Sequence, residues 1–112
     1  MISFVLLLAV VAGPETNEFE AYRACILKSA ARLEPTGEAA EVVADAAVTA
    51  CHQLKRTFVA NYVNDPKQRG YMSVVEAGKT MTTLLNGTGE SARTEAILQT
   101  METRLARSGG QN

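Results

Sequence analysis

The chain has 112 residues, 46% of them hydrophobic and 21% charged, and eleven basic against twelve acidic residues give a formal net charge of −1. That is one domain of globular composition, with no bulk charge to attract nucleic acid or an anionic membrane. One histidine and two cysteines cannot supply the four ligands of a structural zinc site.

In chain order, the first informative stretch is residues 1–13, MISFVLLLAVVAG, uncharged and almost wholly aliphatic from Ile2 to Val11. A bilayer core needs about 20 apolar residues in a helix, so the run is too short to span and has the length of a secretory h-region. Val10-Val11-Ala12 supplies small residues for a signal peptidase, and Pro14 and Glu15 follow. The expectation is that residues 1–12 are a cleaved signal peptide, that residues 13–107 form a single helical domain, and that residues 108–112 form a disordered tail. The mature protein then carries no transmembrane helix and works in the periplasm or the extracellular space.

Cys25 and Cys51 are an even pair in a chain expected to be exported, which reads as a disulfide. The closed loop of roughly 25 residues corresponds to about 3–4 kcal/mol in the loop-entropy model. Cys51-His52 is a poor catalytic dyad, because neighbours on a helix point about 100° apart. No CxxC spacing offers a redox dithiol.

Four helical segments follow. Helix 1 opens at Asn17, with Glu20 at capping-box spacing, and its stripe is Phe19, Tyr22, Ile26, Ser29 or Ala30, and Leu33. Glu34-Pro35-Thr36-Gly37 breaks it. Helix 2 runs from near Thr36–Glu38 to about Val63, with Glu38, Glu41 and Asp45 early and Lys55 and Arg56 late, as its dipole favours. It has one apolar stripe of Val43, Ala47, Cys51, Leu54, Phe58 and Tyr62, and a second face of Val42, Ala46, Val59 and Val63. That second face can pack against neighbouring helices or a second copy, as in a homodimer.

Helix 3 is capped by Ser73 with Glu76 and runs to Leu85 on a face of Val74, Ala77, Met81 and Leu84 or Leu85. Asn86-Gly87-Thr88-Gly89 reads as a stop and turn. Helix 4 spans about 90–107, with Ala96 or Ile97, Leu98, Met101 and Leu105 facing inward. No sustained period-2 alternation points to a sheet. The predicted fold is all-α, a small antiparallel bundle of three to four helices with helix 1 and helix 2 tied by one disulfide. A tight hairpin at residues 33–38 places Cys51 about 7.5 Å beyond the position facing Cys25. The bond therefore requires the two helices to be staggered or crossed.

Charge is uneven: seven acidic and three basic residues lie in 15–45, and five basic, two acidic and His52 in 52–79. Lys55, Arg56, Lys67, Arg69 and Tyr71 make the candidate binding face, although Phe58 and Tyr62 fall on the core stripe. Met72, Met81 and Met101 lie at helical spacing and read as core filling, not as copper ligands. No phosphate loop, GxSxG, HExxH or EF-hand pattern occurs, so no catalytic residue, metal or cofactor is assigned.

These features point to a small exported non-enzymatic binding protein whose partner is another protein or the cell envelope, with no nucleic acid expected. The alternatives are a small-molecule or lipid carrier with an apolar inter-helix cavity above about 300 Å³, and an acid or envelope-stress chaperone. Intact mass of the natively expressed protein tests the premise: loss of residues 1–12 and two thiols that alkylate only after reduction are expected.

Overall fold

The computed structural model describes residues 17–69 and 72–110. The expected signal segment lies outside them. Helix α1 spans Glu18–Leu33, a 3-10 turn follows at Glu34–Thr36, and α2 spans Ala40–Ala50. Helix α3 spans His52–Val63, a single turn α4 spans Pro66–Arg69, and α5 spans Val74–Gly110. The described residues contain no strand, and four helices pack together, with α1, α2 and α3 all lying against α5.

The predicted caps form. The Asn17 side chain accepts the Glu20 N–H at 2.9 Å. Ser73 and Glu76 exchange bonds, Glu76 N–H to Ser73 Oγ at 3.1 Å and Ser73 N–H to Glu76 Oε1 at 3.3 Å. After α1 the chain turns at Gly37, whose φ of +82° is the left-handed conformation that glycine adopts without steric penalty. The core contains Tyr22, Ile26 and Ala30 of α1, Val43, Ala44 and Ala47 of α2, Cys51, and Met81, Leu85, Ala92 and Ala96 of α5.

Three expectations are corrected. The predicted helix 2 is broken at Cys51, which caps the end of α2 and the start of α3 at φ −100°, ψ 8°. Its N–H turns to Val48 O at 3.1 Å while its own carbonyl accepts the Lys55 N–H. The Cys25–Cys51 disulfide, with Cα atoms 6.0 Å apart, thus ties α1 to the start of α3 and not to the body of α2. The register difficulty disappears for the same reason. The 3-10 turn and the late start of α2 at Ala40 move the hinge, and the break brings the cysteine back toward α1.

The second correction is that Asn86-Gly87-Thr88-Gly89 does not stop a helix. Helices 3 and 4 are one 37-residue helix, α5. Glycine costs about 1 kcal/mol in a helix relative to alanine, so the segment is helical through its packing. The Tyr22 ring occupies the space beside Gly89, where a Cβ would meet the hydroxyl at 3.2 Å and Cε2 at 3.3 Å. Helix α5 also continues through Gly110, so the tail expected from Ser108 is helical as far as that residue.

The third correction concerns facing. Ala96 is buried and Ile97 packs on the core, but Leu98, Met101 and Leu105 are exposed, as are Val74 and Leu84. An uninterrupted α5 has a single inward stripe through Ala77, Met81, Leu85, Ala92 and Ala96, and these residues fall off it. On helix 2, Val42 is likewise exposed.

The C-terminal half of α5 is fastened by charge. Glu34, 4% exposed, takes Arg104 Nε and Arg107 Nη1 on Oε2, each at 3.0 Å, and Arg107 Nη2 on Oε1. Arg104 Nη2 also donates to the Glu34 carbonyl at 2.9 Å. The bonds from Arg107 and Arg104 hold the Glu34 carboxyl below the usual carboxylate range. Arg23–Glu95 and Arg93–Asp45 also join α5 to α1 and α2 but are substantially exposed, where ion pairs contribute little. Thr100 Oγ1 is buried without a hydrogen-bond partner among the described residues.

Two outcomes follow. Gly87 has open space around its Cβ position, so Gly87→Ala stabilises by about 0.5–1 kcal/mol, whereas Gly89→Ala forfeits that gain against Tyr22; urea unfolding of the two variants checks the contrast. A depressed folded-state pKa gives Glu34 a stabilising contribution that is complete above the unfolded carboxylate value of about 4.3 and lost as pH falls below it. Glu34→Gln therefore lowers Tm by about 5 °C or more at pH 7, and the gap from the parent closes as circular dichroism melts are taken toward pH 3.

Candidate functional site

One face of α3 carries His52, Lys55, Arg56, Val59, Ala60 and Val63 at steps of three and four residues, while Phe58 and Tyr62 pack on the core. The first turns of α5 set Val74, Val75, Gly78, Lys79 and Thr82 beside it. Between the two helices lie two hollows of about 550 and 420 Å³ that share Val59 and Thr82, so they form one groove open to solvent. A Cβ at Gly78 would sit 3.7 Å from Val63 Cγ2, and its absence leaves the floor deeper by a methyl group. Val74 and Val75 stand on the wall 57% and 65% exposed.

The electrostatics of this groove are one-sided. Lys55, Arg56 and Lys79 line it with His52, and among the described residues no acidic one does. Lys55 is held at one end, its Nζ donating to Asn86 Oδ1 at 2.5 Å. Apolar walls under a cationic rim favour a ligand that presents carboxylate or phosphate groups beside hydrocarbon.

Of the face predicted from sequence, the structure brings Lys55 and Arg56 together on this rim. Lys67 is exposed on α4, where its N–H donates to Asp65 Oδ1 at 3.0 Å. Arg69 is the last residue of α4, and Tyr71 lies outside the described residues. Sequence reasoning missed Lys79, Thr82, Val74 and Val75 as partners of α3. The signal available was the second face of helix 2, because Val59 and Val63 are the residues that floor the groove.

Other candidates resolve plainly. The Cys51 sulfur is bonded to Cys25, so it is no nucleophile for His52, which is exposed on the groove's rim. Among the described residues no three His, Cys, Asp or Glu side chains converge to hold a metal ion. No described helix is long and apolar enough to cross a membrane. Met81 fills the core as expected, but Met101 is half exposed. No family model, curated protein or solved structure matches the chain.

Proposed function

We propose that this chain is a small exported, non-enzymatic binding protein whose α3–α5 groove receives an amphipathic helical segment of another protein. The segment carries acidic residues beside its apolar stripe. The observation behind this reading is the groove's composition: valine floor and walls, three cations and a histidine on the rim, and no carboxylate among the described residues of its lining. Helix α3 has 12 residues, about 18 Å of axis, enough to present a groove to three turns of a docked helix at i, i+3 and i+4 anchors. The groove's openness favours a peptide over an enclosed lipid. Export is supported by the Cys25–Cys51 bond, since such bonds persist in oxidising compartments, and by the uncharged run from Ile2 to Val11.

Two synthetic helical peptides of about 14 residues with one leucine stripe, their polar faces built from Glu in one and Lys in the other, test this by NMR titration. The Glu peptide is expected to bind saturably, moving the amides of Val59, Gly78 and Thr82 and weakening as salt is added. Charge reversal at Arg56 and Lys79 should reduce its affinity about tenfold. Equal binding of both peptides, or shifts confined to another face, overturns the proposal.

A further inference from the structure

A second hollow of about 500 Å³ lies on the other side of Lys55, between α2 and α5 and floored by Tyr22 of α1. Its chemistry differs from that of the groove. Tyr22 is 2% exposed, and the end of its ring lies against Gly89, which also lines the hollow. Among the described residues its hydroxyl enters no hydrogen bond, yet it is not sealed as the Thr100 hydroxyl is. Burial pushes the phenol pKa up, so the group keeps its proton and remains a donor at neutral pH. A buried hydroxyl left open on one side toward a hollow has hydrogen-bonding capacity to satisfy from there.

The charges around that hydroxyl are sorted along α5. At one end Lys55 and Asn86 meet; Lys55 Nζ gives one hydrogen to Asn86 Oδ1 and keeps two, and the Asn86 amide nitrogen is free to donate. At the other end Arg93 Nε donates to Asp45 Oδ1 at 2.6 Å, with Glu90 beside them on the lining. Asn86 and Arg93 are about 10 Å apart along the helix, with Gly89 and the Tyr22 hydroxyl between. Lys55 stands alone at one end, while at the other Asp45 and Glu90 outnumber Arg93, so the lining is neutral overall but polar end to end. We infer that this hollow is a binding site for a small zwitterion, its carboxylate on Lys55 and Asn86 and accepting from the Tyr22 hydroxyl, its ammonium on Asp45 and Glu90. The inference does not depend on the peptide groove, which lies on the other side of Lys55.

Three probes of equal chain length separate the contributions: 5-aminopentanoate, pentanoate and pentylamine, each titrated into the oxidised full-length protein and followed at the Gly89 and Asn86 amides by NMR. The expected result is saturable binding of 5-aminopentanoate at least about tenfold tighter than either monopolar probe. Tyr22→Phe keeps the ring against Gly89 and should weaken 5-aminopentanoate about fivefold. Asp45→Asn combined with Glu90→Gln should reduce it to the affinity of pentanoate. Absence of saturable shifts with all three probes on the unaltered chain overturns the site, as does equal affinity for the three. Unchanged binding in a Tyr22→Phe variant with parental circular dichroism and Tm does the same.

Discussion

The contact between the Tyr22 ring and the backbone of α5 at Gly89 governs how the other helices are arranged. A side chain at that point would meet the ring at little more than 3 Å, so α5 approaches α1 closely only because residue 89 is glycine. The close approach lets Ala92 and Ala96, with almost no side chain, be fully buried against the bundle. Small residues on α2, Ala44 and Ala47, meet the same requirement from the other side. Each glycine weakens the isolated helix by about 1 kcal/mol, and close packing over its length is what offsets that weakness.

Two further fixtures keep the packing in register. The disulfide holds the junction of α2 and α3 against α1, and the two arginines of the last turns of α5 converge on Glu34 just after α1. One is covalent and indifferent to pH. The other is a carboxylate buried under two guanidinium groups, where losing the arginine charges leaves a buried carboxylate uncompensated. Between them lies the small-residue core, so the bundle is tied near the α2–α3 junction by sulfur and beyond the end of α1 by charge.

This arrangement leaves α3 partly unsupported. It has no fully buried residue of its own, and its Val59–Val63 face borders a groove against the first turns of α5. The result is a valine-lined groove beneath a cationic rim, whereas the α2–α5 hollow nearby is balanced in charge and floored by a phenol. Lys55 borders both. Separate chemistries on the two sides of one lysine arise because residues of α2 line one hollow and residues of α3 the other.

By itself the sequence determined the helical class, the caps at Asn17 and Ser73, the inward stripes of α1 and α2, and the cysteine pair. The caps and stripes follow from local spacing and from hydrogen bonds made within four residues, which no distant contact has to supply. Lys55 and Arg56 were legible as a basic face, since helical spacing sets neighbours on a helix regardless of the fold. Tertiary structure alone decided that Asn86-Gly87-Thr88-Gly89 is helix and that the chain breaks at Cys51, a position without proline or glycine. It also decided that Leu98, Met101 and Leu105 face outward and that Glu34 is buried. In each case a contact from another helix outweighs a local preference of about 1 kcal/mol or less per residue, and a sequence pattern records the preference without the contact.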